Sequence, residues 1–102
     1  MTRPTHIAIT GGSSGIGAAL AEIHAEPGVL LSLAARNADR LEAVAERCRG
    51  RGAEVATTLL DVTDTTAVDA WIGAADVRRP LDLVYANAGL GGRPALAGAS
   101  GE

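Results

Sequence analysis

Gly11, Gly15 and Gly17 punctuate the segment Thr10-Gly11-Gly12-Ser13-Ser14-Gly15-Ile16-Gly17, which joins an apolar run to a helical pattern. Few loops constrain a fold more. Gly11 permits a tight turn out of a strand, Gly15 lets a ligand come close to the backbone, and Gly17 lets the following helix pack tightly on the sheet. A helix that opens here directs its unpaired N–H groups and positive dipole end at whatever fills the loop, which suits an anion. A glycine pattern alone could be a flexible turn, but its place between strand and helix in a βαβ unit favours nucleotide binding. The Lys-containing phosphate loop of nucleoside triphosphatases is excluded, because all nine basic residues are Arg.

The rest of the chain supplies the units such a loop needs. His6-Ile7-Ala8-Ile9-Thr10 reads as the first strand. Ile16, Ala19, Leu20 and Ile23 then recur at helical spacing until Glu26-Pro27-Gly28. Val29 to Ala35 is apolar except for Ser32, as expected of a strand buried on both faces. Asn37-Ala38-Asp39 opens a second helix with Leu41, Val44, Ala45 and Cys48 inward. Glu54 to Leu60 is the third strand. Thr63 or Asp64 caps a third helix with Val68, Trp71, Ile72 and Ala75 inward, and Leu81 to Ala86 follows Pro80 as the fourth strand. Alternating strands and helices imply an α/β Rossmann-type fold: a parallel sheet with helices on both faces and strand order 3-2-1-4. Residues 1–89 form this half-domain, and 90–102, rich in Gly, Ala and Pro, read as a loop or tail.

Composition agrees with one small unit. Across 102 residues the hydrophobic fraction is 47% and the aromatic fraction 2%, so the core must be built from Ala, Val, Leu and Ile. The net charge of −3 gives no electrostatic reason to expect nucleic acid or an anionic membrane as partner. No apolar run is long enough to span a bilayer. A single cysteine, Cys48, on the inward stripe of the second helix, permits no internal disulfide and suits a reducing cytoplasm. His6 and His24 lack ligand spacing, so no metal site is expected.

The pattern Thr10-Gly11-x-x-x-Gly15-x-Gly17 resembles the signature of the short-chain dehydrogenase/reductase family. Ser14 stands where the extended, epimerase-like branch usually has another glycine. Asp61-Val62 after the third strand and Asn87-Ala88-Gly89 after the fourth are similar to two further family motifs, although Ala86 replaces the Asn that often precedes the latter. The resemblance covers residues 5–89. It implies a nicotinamide dinucleotide held by Thr10, Gly11, Ser13, Ser14, Gly15, Ile16 and Gly17, with the Ile16 amide on the pyrophosphate. It also implies that Asp61 bonds the adenine amino group, that the Val62 backbone meets the ring, and that Asn87, Ala88 and Gly89 line the floor near the ribose.

The tip of the second strand selects among nicotinamide cofactors. NAD binders carry an acid there for the ribose 2′-hydroxyl. Here the segment reads Ala34-Ala35-Arg36-Asn37. Arg36 suits a 2′-phosphate, Ser14 and Asn37 can add neutral hydrogen bonds, and NADP(H) is expected rather than NAD(H). Arg36 also argues against a methyltransferase of the same fold.

Catalysis in the family resembles acid–base chemistry by a Tyr with a Lys four residues later, assisted by a Ser and an Asn. This chain has one Tyr, Tyr85, with Gly89 four positions on and no Lys anywhere. No catalytic residue is therefore assigned. Asn87 belongs to the Asn-Ala-Gly motif, and Tyr85 is expected to pack its ring. The fourth strand would be an open apolar edge, which invites pairing, so the chain reads as the cofactor-binding N-terminal part of a longer oxidoreductase acting on a small carbonyl or alcohol. A noncatalytic nucleotide-binding or interaction module, and an assembly of identical chains, stay open alternatives.

Overall fold

A computed structural model describes residues 3–87 and 94–96. In chain order it comprises β1 (His6–Thr10), α1 (Gly15–His24), β2 (Leu30–Ala35), α2 (Ala38–Gly50), β3 (Glu54–Leu59), α3 (Thr65–Arg78), β4 (Leu83–Asn87) and β5 (Pro94–Leu96). The sheet order is β3-β2-β1-β4-β5. The four longer strands are parallel, in the expected order 3-2-1-4, with Ile7 beside Leu31 on one side and Leu83 on the other.

Two expectations are corrected at the edge. β4 is not an open edge, because β5 pairs with it antiparallel, Asn87 opposite Pro94 and Tyr85 opposite Leu96. Pro94 lacks an N–H, which an edge strand tolerates. β4 also starts two residues later than Leu81. Asp82 stays outside the strand because its carboxylate accepts from the Thr5 N–H at 2.7 Å, the Thr5 hydroxyl at 3.0 Å and the His6 N–H at 3.1 Å.

The main core lies between the sheet and α1 and α2. Ile7, Ile9, Leu31, Leu33 and Ala35 project from alternate positions of β1 and β2 onto Ala21, Leu41, Val44 and Cys48. The α2 stripe is the one read from sequence. The buried face of α1 is built instead of Gly17 and Ala21, while Ile16 and Ile23 are 55% and 75% exposed. Small residues win here because this helix starts in close contact with the loop before it. α3 opens on Asp64, whose side chain accepts from the Ala67 N–H. It buries Ala75, and Val68, Trp71 and Ile72 are only half-buried.

Polar ties lock the amino-terminal end of the sheet. His6 is fully buried; its Nδ1 lies 2.7 Å from the Arg79 carbonyl and its Nε2 lies 2.7 Å from the Ser32 hydroxyl. A carbonyl only accepts, so Nδ1 carries the proton. The Arg79 guanidinium donates to the Thr5 carbonyl at 3.1 Å and to Glu54 at 3.2 Å. Tyr85 packs its ring against the core, and its hydroxyl lies 3.0 Å from His24 Nε2.

The donors from Thr5 and His6 hold the Asp82 carboxyl below the usual carboxylate range. A carboxyl depressed in the folded state contributes stability above its unfolded pKa and loses it as pH falls through the folded value. Thermal melts should therefore show the wild type losing stability on the acid side of the carboxylate range. Asp82→Asn should melt lower at neutral pH and show a shallower acid-side loss; an unchanged acid slope would contradict this role.

Candidate functional site

Because β1 to β4 run parallel, their carboxyl ends gather along one rim of the sheet. The strand order reverses between β1 and β4, which is where open α/β sheets place ligands. Thr10 ends β1 almost fully buried, with its hydroxyl 3.5 Å from the Tyr85 carbonyl. The chain then turns at Gly11, whose φ of 70° is in the left-handed region. The Gly11 and Gly12 N–H groups both donate to the Ala34 carbonyl, at 2.8 and 3.1 Å, fastening the loop to β2.

The glycines divide their work. A Cβ on Gly17 would lie 2.1 Å from the Gly11 carbonyl oxygen and 3.0 Å from the Gly12 Cα, so this position abuts the loop backbone rather than the sheet itself. A Cβ on Gly15 would meet nothing within 4 Å. Gly15 faces open space, as a cradle for a ligand requires.

Hydrogen bonding sorts the loop's donors in the same way. Ser14 is the N-cap of α1: its hydroxyl accepts from the Gly17 N–H at 3.2 Å and donates to the Gly11 carbonyl at 2.8 Å. Its proton is thus used inside the loop. The Ser13 hydroxyl has no partner among the described residues. The Gly15 and Ile16 N–H groups stand in the first turn, ahead of the first helical bond from Ala18 to Ser14. Among the described residues they have no acceptor.

Arg36 and Asn37 follow β2, and Asp61 and Val62 follow β3. The Leu60 N–H donates to the Ala35 carbonyl at 3.1 Å, so the strands stay paired up to these residues. Arg36 Nη1 consequently lies 3.9 Å from Asp61 Oδ1, with both side chains exposed. Asn37 caps α2, its side-chain oxygen accepting from the Arg40 N–H at 2.9 Å, so its amide nitrogen is the group left to serve a ligand. Asn87 ends β4 beside β1; Ala88 and Gly89 lie outside the described residues.

In the sequence Thr63 stands out only as an alternative cap for α3. Its hydroxyl donates to Asp61 Oδ1 at 2.6 Å and its N–H to the same oxygen at 2.9 Å. These two bonds, and more weakly Arg36, hold the Asp61 carboxyl below the usual carboxylate range. The sequence signal is Asp-x-Thr, the spacing of a side-chain turn. Among the described residues, no cluster of His, Cys, Asp or Glu could hold a metal ion. No described helix is long and apolar enough to cross a membrane.

Comparison with known proteins identifies the family and the fold. The family model described as short chain dehydrogenase matches residues 5–100. The chain is 42% identical over 86 residues to a 3-dehydrosphinganine reductase of Arabidopsis thaliana, covering 83% of this chain and 26% of the relative. It is 41% identical over 83 residues to a glycine betaine reductase of Emericella nidulans, covering 80% of this chain and 6% of that protein. A solved structure of L-sorbose reductase from Gluconobacter frateurii, complexed with NADPH and L-sorbose, superposes with a TM-score of 0.74 at 34% identity. That match covers 94% of this chain and 37% of the reductase. The chain thus spans a minor part of the length of these relatives.

The two glycines separate stability from binding. Gly17→Ala presses a methyl into backbone on both sides and should cost about 2 kcal/mol or more. Gly15→Ala should leave the melting temperature nearly unchanged while weakening binding of a dinucleotide. Melting curves and ligand titrations of the two variants would check this; equal destabilisation by both would contradict it.

Proposed function

Because the chain belongs to the short-chain dehydrogenase family, we propose that it holds NADP(H) at the carboxyl rim of its sheet. The whole protein would then interconvert a small carbonyl compound and its alcohol by hydride transfer. The observation that carries the cofactor choice is Arg36: an exposed guanidinium at the tip of β2, where an NAD site would have an acid. The NADPH bound by the L-sorbose reductase relative supports this reading.

The roles follow from the groups the fold leaves available. The Gly15 and Ile16 amides meet the pyrophosphate at the positive end of α1. The Ser13 hydroxyl adds a donor there, in place of Ser14. Arg36 pairs with the 2′-phosphate, with the Asn37 amide nitrogen in support. Asp61 accepts from the adenine amino group and the Val62 backbone meets the ring. Asn87, Ala88 and Gly89 form the floor beside the ribose. When bound, the dinucleotide supplies the hydride; the residues of this chain bind and orient its adenosine end. A cytoplasmic location is part of the same proposal, resting on the lone, buried Cys48.

The acid–base pair of the reaction is not among these residues. With no Lys in the chain, the family's Tyr–Lys pair cannot be built on Tyr85. That observation supports a second reading, in which the 102 residues act as a noncatalytic nucleotide-binding module. Either way, the purified chain should bind cofactor and show no cofactor-dependent carbonyl reduction, and sustained turnover would refute this.

Cofactor choice has its own test. A charge-assisted hydrogen bond contributes about 1.5–3 kcal/mol, roughly ten- to a hundredfold in affinity. Titrations should show NADP+ preferred over NAD+ by about that ratio, and Arg36→Asp should abolish or invert the preference. Equal affinities in the wild type would sink the proposal.

A further inference from the structure

Asp61 and Arg36 are assigned different parts of one ligand, yet they are opposite charges at neighbouring strand tips. Left alone, a carboxylate and a guanidinium at such range close into a paired contact of about 2.8 Å that uses both carboxylate oxygens. Here they stand 3.9 Å apart. The difference lies in Thr63. Its hydroxyl and N–H both donate to Asp61 Oδ1, at 2.6 and 2.9 Å, so this oxygen is already occupied where it faces Arg36. Asp61 Oδ2 has no partner among the described residues. The turn is also braced by its backbone, with the Asp64 N–H on the Asp61 carbonyl at 3.0 Å and Asp64 committed to capping α3.

We propose that Thr63 is a positioning residue for the adenosine end of the cofactor. By saturating Asp61 Oδ1 it keeps Asp61 and Arg36 apart, so the carboxylate stays free for the adenine amino group and the guanidinium for the 2′-phosphate. Loss of the hydroxyl lets the pair collapse and withdraws both readers at once. Thr63 is exposed, so exchanging its hydroxyl for a methyl should leave the fold intact. The inference rests on the cofactor reading above and deepens it.

The test compares Thr63→Val, which keeps the shape but not the hydroxyl, with Thr63→Ser, which restores it. The probes are NADP+, NAD+ and nicotinamide hypoxanthine dinucleotide phosphate, in which an oxo group replaces the adenine amino group. The wild type should prefer NADP+ to the hypoxanthine analogue by about tenfold, the worth of one good hydrogen bond. In Thr63→Val that ratio should fall towards one and the NADP+ over NAD+ preference should shrink, while the melting temperature holds. Thr63→Ser should recover both ratios. A wild type that binds NADP+ and NAD+ equally overturns the reading of Arg36 and this inference with it. A wild type that prefers NADP+, with both ratios unchanged in Thr63→Val or unrestored in Thr63→Ser, overturns the role of Thr63 alone.

Discussion

The contact between Gly17 and the Gly11 carbonyl sets where α1 begins, and most of the rim follows from it. Only a residue without a Cβ fits there, since a methyl would sit 2.1 Å from that oxygen. With the helix start pressed onto the turn, Ser14 can bridge the two by capping Gly17 and returning its proton to Gly11. The Ala34 carbonyl completes the clamp from β2 by accepting from Gly11 and Gly12. Among the described residues, the donors this clamp does not consume are the Ser13 hydroxyl and the Gly15 and Ile16 N–H groups. Tight packing and a set of uncommitted donors are therefore two results of the same contact, because the loop can offer such donors only if the rest of its polar groups are satisfied internally.

The charges are arranged differently at the two ends of the sheet. At the amino end, Asp82, Arg79 and the buried His6 tie β1, β2 and the start of β4 together through short hydrogen bonds. At the carboxyl end, Arg36 and Asp61 form a loose ion pair at 3.9 Å, beyond hydrogen-bond distance. An exposed ion pair contributes only about 0–1 kcal/mol, so the fold gives up little by holding this one open. A rim built this way keeps its charged groups ready for a ligand while stability is secured at the opposite edge.

Much of this was legible in the chain itself. The βαβα order gave the parallel sheet and its 3-2-1-4 topology, and the apolar stripe of Leu41, Val44, Ala45 and Cys48 identified the buried face of α2. The face of α1 was harder to read. Ile16 and Ile23 have helical spacing, but they are exposed, and the buried face is Gly17 and Ala21. Hydrophobicity marks a helix without marking which side approaches a neighbour most closely; volume decides that. β5 had no signal at all, since three residues are too few for a period and its pairing with β4 is a tertiary event. Among the candidate site residues, Arg36, Asp61 and Asn87 could be placed at strand ends, whereas the commitment of Ser14 and the grip of Thr63 on Asp61 depend on hydrogen bonds that spacing alone does not reveal.

The position of the single tyrosine separates binding from chemistry more firmly than the lack of lysine does. Tyr85 sits mid-strand in β4, opposite Ile9, with its ring on the core side and its hydroxyl on His24. His24 ends α1, whose first residue, Gly15, lies at the phosphate loop. A helix of this length spans about 15 Å. The phenol is therefore anchored near the far end of α1 from the loop, inside the packing that supports the sheet. Introducing a lysine at position 89 would recreate the spacing of an acid–base pair, yet the hydroxyl would still be bonded to His24. Tyr85 is thereby committed to packing, and the groups proposed to read the adenosine end stand away from it on the carboxyl rim.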